Sequence, residues 1–299
     1  MPVANPLSGF AVLERAPAKI NLALAVVGQR EDGYHLLESL VTFTAYGDRI
    51  GLSRAAEDCF TLSGRFGDAL AADGDNLVIR ARDRLRAALE RLGPAAPPVH
   101  IHLEKNLPIA SGIGGGSADA AATLRGLLAL WQANLPKNER DAIAIGLGAD
   151  VPMCLVGQPL MARGVGDSLT PLTMPSMPIV LANPMVGVST PAVFKALASK
   201  HNPPFVPVTR REDWVSLLSR LRNDLEAPAR QLCPEIASLS ESLSATGADL
   251  VRMSGSGATC FALYPSDDAA QAAAAALGKQ HPQWFFVATR TVGATHGTH

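Results

Sequence analysis

Between Ile20 and Val26 the apolar residues fall on every second position: Ile20, Leu22, Leu24 and Val26. A period of two places them on one face of a strand and puts Lys19 and Asn21 together on the other. Pro17, just before the run, fits a strand start. Segments 40–43, 48–52 and 59–62 read as further short strands, so the first part of the chain is strand-rich. The period then changes. Leu77, Val78, Ala81, Leu85, Ala88, Leu89 and Leu92 form one stripe of a helix opened by Asn76 and closed by Gly93. Alternation returns at Val99, Ile101 and Leu103 against His100, His102 and Glu104. An alanine-rich helix carrying Leu124, Leu127, Leu128 and Trp131 follows the strand, and a further helix spans 138–145.

Pro171, Pro175 and Pro178 mark a boundary, which divides the chain into domains 1–172 and 173–299. Beyond it come a strand at 179–182 and a helix start at Thr190-Pro191, with threonine as cap and proline at the first helical position. Helices continue to about residue 246. Strands at 250–253 and 260–264 flank Ser254-Gly-Ser-Gly257, and a helix at 267–278 leads to a last strand at 284–288. The order β, helices, β, β, α, β is ferredoxin-like with helices inserted, and the fold class is α+β.

The stretch 107–122 joins a strand to a helix N-terminus through Gly112, Gly114, Gly115 and Gly116. Glycines let backbone approach a ligand, and a helix N-terminus offers free amides and a positive dipole end. Together they suit an anion, above all phosphate; a turn capped by Ser117 is the simpler reading. A P-loop needs a lysine after its last glycine, and Ser117 stands there. Ser117 also occupies the third-glycine position of a dinucleotide fingerprint. Lys19 suits a phosphate or a substrate hydroxyl, or is an edge lysine in water. Tyr34 and His35 follow the Asp32-Gly33 turn. One stacking and the other hydrogen-bonding, they suit a flat heteroaromatic base; otherwise they are a packed tyrosine and a solvated histidine. Asp150, between a glycine turn and Pro152, is a helix cap or a catalytic carboxylate. Ser254–Ala258 is a hairpin turn or a backbone wall beside the first loop.

Composition narrows the partners. Charged residues make up 18% of the 299, and the formal net charge is −1, so no general field attracts nucleic acid or acidic membranes. Arg80, Arg82, Arg84 and Arg86 read as a solvated helix face, since no aromatic residues are interleaved with them. Cys59, Cys154, Cys233 and Cys260 lack metal-ligand spacing and are expected as reduced thiols, as in cytoplasm. Segment 1–10 lacks the pattern of a secretory leader, and no run of about 20 apolar residues predicts a membrane span. No exposed heptad or apolar stripe speaks to oligomeric state.

Three separated motifs then agree. Pro17-Ala-Lys-Ile-Asn-Leu22, Pro108-Ile-Ala-Ser-Gly-Ile-Gly-Gly-Gly-Ser-Ala118 and Met253-Ser-Gly-Ser-Gly-Ala258 resemble the three motifs of the GHMP small-molecule kinases. Asp32-Gly-Tyr-His35, Leu147-Gly-Ala-Asp-Val-Pro152 and Asn223-Asp-Leu-Glu226 narrow the resemblance to members whose acceptor carries a cytidine diphosphate group. It implies a GHMP kinase fold, with a ribosomal-protein-S5-domain-2-like domain over 1–172 and a ferredoxin-like domain over 173–299. It also implies transfer of the ATP γ-phosphoryl group to an alcohol, with Mg2+ on the phosphates and no protein ligand assigned to the ion. Lys19 and Asp150 match the catalytic pair. Pro108, Ile109, Ala110, Ser111, Gly112, Ile113, Gly114, Gly115, Gly116, Ser117 and Ala118 match the ATP phosphate wrap, with Asn76 and Lys105 near adenine. Asn21, Tyr34, His35, Thr190 and Phe194 match the cytidyl substrate site. Ala110 and Ser111 stand where some relatives carry glycines, Ile113 replaces a common leucine, and Ala118 lacks a common hydroxyl. A homoserine- or mevalonate-type kinase, or a non-catalytic nucleotide-binding relative, is the alternative.

Overall fold

The computed structural model describes residues 6–70, 75–205 and 213–293; residues 1–5 of the amino-terminal segment lie outside them. In chain order the elements are β1 (Val12–Gln29), β2 (His35–Arg54), β3 (Cys59–Ser63), α1 (Leu77–Leu92), β4 (Val99–Glu104), α2 (Gly115–Trp131), α3 (Lys137–Leu147) and α4 (Val151–Val156). Then follow β5 (Leu160–Gly164), β6 (Ser168–Pro171), β7 (Pro178–Asn183), α5 (Thr190–Lys195), α6 (Trp214–Ser219), α7 (Glu226–Leu232) and α8 (Glu235–Ser244). The last four are β8 (Leu250–Met253), β9 (Cys260–Leu263), α9 (Asp267–Gln280) and β10 (Phe285–Arg290).

The chain forms two compact units that interleave along the sequence. The first comprises Met1–Ala18, Gly47–Ile109 and Gly114–Val156; the second comprises Lys19–Tyr46, Ala110–Ile113 and Gly157–His299. The division falls inside β1 and inside β2. Both strands are longer than the periodicity predicts, at 18 and 20 residues. Pro17 lies within β1 rather than at its start, and the two short strands expected at 40–43 and 48–52 are one. The reason lies at Gly47, where a Cβ would overlap the Ala16 carbonyl oxygen and come within 2.6 Å of the Pro17 Cα. A glycine there lets the proline-bearing backbone lie against it, and both strands run through.

In the first unit β4 pairs antiparallel with the end of β2, Arg49 opposite Glu104 and Arg54 opposite Val99. It pairs in parallel with β3, Cys59 opposite His100. Helix α1 forms as its stripe predicts: the Asn76 side chain accepts from the Val78 amide at 3.0 Å, and Gly93 ends the helix at φ 101°. Val78, Ala81, Leu85 and Leu89 are buried. The alanines of α2 are small because the helix lies close to its neighbours. A Cβ at Gly126 would overlap Leu52 of β2. Ala118, Ala120, Ala121 and Ala122 are buried with Leu124 and Leu127.

His102 is buried on β4. Its Nδ1 lies 2.8 Å from Thr61 Oγ1 and its Nε2 lies 2.7 Å from Ser63 Oγ, while His100 Nε2 meets Thr61 Oγ1 from the other side at 2.8 Å. Burial first, and the His100 charge second, push the His102 pKa below its ordinary value. A histidine held below its unfolded pKa contributes stability above pH ~6.5, lost as pH falls. Denaturant midpoints are therefore expected to drop between pH 7.5 and 5, and His102→Gln is expected to flatten that drop. Superimposable pH profiles would rule the network out as the cause.

In the second unit the start of β2 pairs antiparallel with β5, Leu37 opposite Gly164 through Val41 opposite Leu160. A hairpin joins β5 to β6. A separate four-stranded sheet has the order β10-β7-β9-β8, all antiparallel. Numbered within the carboxy-terminal half, that is fourth, first, third, second, the ferredoxin-like arrangement that the element order predicts, with α5 to α8 inserted between β7 and β8. Ile236, Leu239 and Leu243 of α8 and Ala270, Ala273 and Leu277 of α9 pack into one core with Val180, Ala182, Met253 and Cys260. The Arg252 guanidinium, itself buried, donates to the carbonyls of Leu22, Leu218 and Leu221 at 2.7–2.8 Å, joining β1 to α6 and the residues just after it. The four cysteines carry free thiols; burial pushes Cys260 up to about 12 and Cys233 to about 11, so both are inert.

Candidate active site

The glycine loop begins at the end of β4. Lys105 extends the parallel pairing by one residue, its amide donating to Ser63 O at 2.8 Å and its carbonyl accepting from Phe66 N at 2.9 Å. The loop then takes left-handed backbone at Ala110 (φ 51°), Gly112 (φ 74°) and Gly114 (φ 65°). Gly114 is the cap of α2. The Ala118 amide is bound back to Gly114 O at 2.8 Å, so Gly115, Gly116 and Ser117 lie in the first turn, where amides precede the helical ladder. Ala110 adopts a positive φ of the kind that favours glycine.

Within the second unit Gly112 meets the other glycine loop. A Cβ on Gly112 would overlap the Gly257 carbonyl oxygen, and one on Gly255 would come within 3.0 Å of Gly112 O. Ser254 Oγ donates to Gly112 O at 3.4 Å, and Thr259 N to Ser111 O at 3.2 Å. Segment 254–258 is thus the backbone wall beside the first loop. Gly112→Ala is expected to destabilise by at least about 1–2 kcal/mol from left-handed strain alone, and to lower turnover by roughly 10- to 100-fold, the scale of a positioning loop displaced by about 1 Å. Wild-type melting and turnover in that variant would refute the close approach.

Lys19 opens the second unit's part of β1. It is buried, not an edge lysine in water, and shares its strand face with Asn21 as the alternation predicts. Its Nζ donates to Asn21 Oδ1 at 2.7 Å, Asn21 Nδ2 donates to Ser39 Oγ at 2.7 Å, and Ser39 Oγ donates to Ala23 O at 2.9 Å. The Lys19 amide donates to Ile113 O at 2.9 Å and the Asn21 amide to Ser254 Oγ at 3.0 Å. Lys19 and Asn21 are therefore fixed to both glycine loops. Ser39 was invisible to sequence reasoning, being one polar residue in a strand. Asn223 had a signal in its motif: its Nδ2 donates to the Met253 and Gly255 carbonyls, both at 2.8 Å, holding the wall in place.

The same unit carries a cleft of about 590 Å3 lined by Gln29, Tyr34, His35, Thr190, Phe194 and Lys195 among others. The imidazole of His35 stacks on Phe194, ring centroids 4.6 Å apart and planes 25° from parallel. His35 Nε2 is buried and has no hydrogen-bond partner among the described residues. Burial, then the nearby Lys200 ammonium, lowers the His35 pKa, keeping the ring neutral at neutral pH. Tyr34 is 65% exposed and forms the rim. Ser189, not Thr190, caps α5, its Oγ accepting from Ala192 N. Thr190 Oγ1 is instead 2.7 Å from Ser256 Oγ, which ties the cleft to the wall loop. The wall supplies a partner for Thr190 that no local pattern announces.

In the first unit Asp150 occupies the turn between α3 and α4. Its carbonyl accepts from Cys154 N at 3.1 Å, the first bond of α4, so it stands at the cap position and is half-buried. The turn adjoins the start of α2, since a Cβ on Gly148 would lie 3.9 Å from Ser117 Oγ. Asn76 caps α1, and the adjacent Leu77 side chain lies 3.3 Å from the Cβ position of Gly116. Lys105 is different. Its ammonium is buried between Asp48 and Asp119, 2.6 Å from each, and is not presented to a ligand.

Comparison with known proteins gives this geometry a lineage. The profile of the GHMP kinases N terminal domain matches residues 76–158, and that of the GHMP kinases C terminal domain matches residues 205–283. The chain is 56% identical over 296 residues to 4-diphosphocytidyl-2-C-methyl-D-erythritol kinase of Rhizobium etli (strain CIAT 652), covering 98% of this chain and 99% of that one. This chain belongs to the 4-diphosphocytidyl-2-C-methyl-D-erythritol kinase family of GHMP kinases. A crystal structure of 4-(cytidine 5'-diphospho)-2C-methyl-D-erythritol kinase superposes on this member of the family with a TM-score of 0.78 at 35% identity, over 95% of this chain and all of that one. Homoserine kinase from Cytophaga hutchinsonii shares the fold alone, at a TM-score of 0.67 and 19% identity over 97% of each chain. Among the described residues of this family member, no helix is long and apolar enough to cross a membrane.

Proposed function

We propose that the protein transfers the γ-phosphoryl group of ATP to the 2-hydroxyl of 4-diphosphocytidyl-2-C-methyl-D-erythritol, a cytoplasmic step of isoprenoid-precursor synthesis by the non-mevalonate route. One observation supports this acceptor above other GHMP substrates: the unpartnered, buried Nε2 of a neutral His35 in an aromatic cleft. A neutral imidazole offers one donor and one acceptor, and the edge of cytosine carries an amino donor with the N3 and O2 acceptors, so either imidazole nitrogen has a match there. Phe194 and Tyr34 supply apolar faces to the base, and Thr190 lines the same cleft.

In the proposed reaction a lone pair of the substrate hydroxyl oxygen forms the new bond to the γ-phosphorus as the bond to the β,γ-bridging oxygen breaks. ADP leaves with that electron pair. Asp150 orients the hydroxyl and takes its proton. Lys19, held by Asn21, supplies an ammonium that stabilises charge on the transferred group. Residues 108–118 wrap the triphosphate, the first turn of α2 offering amides and its dipole end to the oxygens. Asn76 at the start of α1 lies toward adenine. Domains 1–172 and 173–299 divide these roles, the first taking ATP and the second adding Thr190 and Phe194 to the acceptor cleft.

Mg2+ neutralises charge on the phosphates when bound. Among the described residues no group of three histidines, cysteines, aspartates or glutamates has the arrangement of a metal site. The ion would be held mainly by nucleotide oxygens and water, the usual mode for Mg2+ beside phosphates.

A panel of acceptors tests the reading. ATP-dependent phosphorylation of the cytidyl compound is expected, with homoserine and mevalonate left unreacted. Turnover of homoserine without turnover of the cytidyl compound would refute it.

A further inference from the structure

One buried cluster in the first unit has no part in the chemistry above. Lys105 Nζ donates to Asp48 Oδ2 and to Asp119 Oδ2, each at 2.6 Å, and all three side chains are at most 3% exposed. The other Asp48 oxygen accepts the amides of Asn106 and Leu107, the two residues that lead into the glycine loop. Asp119 sits in α2 five residues after its cap, and its Oδ1 has no hydrogen-bond partner among the described residues. The ammonium lies 3.1 Å from where a Cβ on Gly115 would stand, directly under the first turn of α2.

Two carboxylates share one ammonium here. Asp48 keeps two amide donors whatever Lys105 does; among the described residues, the charged groups that act on Asp119 are Lys105 and Asp48. Burial, reinforced by Asp48, pushes the Asp119 pKa upward, while the two carboxylates together outweigh burial and raise that of Lys105. Without Lys105 the Asp48–Asp119 pair would carry uncompensated negative charge that opposes an anion held at the start of α2. We propose that Lys105, with Asp48 and Asp119, is a positioning bridge for the phosphate loop: it ties the turn after β4 to α2 and cancels the Asp119 charge beneath the amides that receive ATP. The bridge rests on the reading of this loop as the ATP phosphate site. Lys105 itself acts through the loop, without contact between its ammonium and the nucleotide.

The test uses the full-length protein, with Mg2+-ATP titrated calorimetrically and Michaelis constants measured for both substrates. Binding of ATP by wild type is the control for the loop's function, and its absence would remove that reading and the bridge with it. Given normal wild-type binding, Lys105→Met is expected to weaken ATP affinity at least tenfold while KM for the cytidyl compound stays within twofold. Lys105→Met combined with Asp119→Asn should recover at least threefold, because the opposing charge is gone. Asp119→Asn alone keeps the shape and is expected to bind ATP within threefold of wild type, so it carries the test if the lysine variant does not fold. ATP affinity within twofold of wild type in Lys105→Met, equal losses for both substrates, or a tenfold ATP loss in Asp119→Asn would each overturn the bridge.

Discussion

Asp150→Asn is expected to lower kcat roughly 100- to 10,000-fold, the range for loss of a positioned acid–base group, with little change in KM for either substrate. Asparagine keeps the length of the side chain. The Asp150 carbonyl accepts from Cys154 N, a backbone bond that asparagine keeps, so α4 is expected to form. What is lost is the acceptor for the hydroxyl proton. At about 1.4 kcal/mol per tenfold, the change amounts to roughly 3–5 kcal/mol of transition-state stabilisation. Lys19→Met should produce a comparable drop, but with lower stability, because it removes the donor to Asn21 Oδ1 from a buried chain running on to Ser39. Single-turnover measurement at saturating ATP separates chemistry from release. Turnover retained in both variants would remove the catalytic pair.

His35→Ala is expected to raise KM for the cytidyl substrate by roughly 30- to 100-fold and to leave KM for ATP unchanged. Nε2 of the imidazole is buried without a hydrogen-bond partner among the described residues, and the ring face is packed on Phe194. Alanine removes both the edge contact and the ring that holds Phe194 in place. Losing hydrogen bonds in a desolvated site is worth about 2–3 kcal/mol, which gives the quoted factor. The lowered pKa of His35 adds a pH signature. The neutral form prevails above pH ~6.5, so acceptor binding should weaken only as pH falls below that value, and His35→Ala should erase the dependence. Equal rises in both Michaelis constants would refute the cleft as the cytidine site.

Much of this molecule was legible before folding. Helix α1 announced both its ends, because an asparagine cap and a left-handed glycine are local requirements of backbone geometry. The glycine loop was recognisable for the same reason: φ values of 74° at Gly112 and 65° at Gly114 are affordable to few other residues. The ferredoxin-like order of the last sheet followed from the order of elements. Lys19 and Asn21 were placed on one face by a period of two, and their hydrogen bond bears that out.

Other features needed the tertiary structure, and each depends on residues far apart in sequence. The expected break near Pro17 disappears because Gly47, thirty residues on, accommodates the proline. Lys19 read equally well as solvated until burial placed it against Asn21, whose amide is bound by Ser254, 233 positions away. Thr190 looked like a helix cap, yet its hydroxyl lies beside Ser256, 66 positions distant, and Ser189 caps instead. Lys105 resembled a nucleotide-facing lysine until Asp48 and Asp119 enclosed it. The sequence by itself determined the family, the fold class and the backbone shape of the phosphate loop, since these rest on contiguous residues and local dihedral preferences. Which polar side chains face a ligand and which are consumed inside the protein was decided only by folding, because a buried polar group must find a partner and the chain topology chooses it.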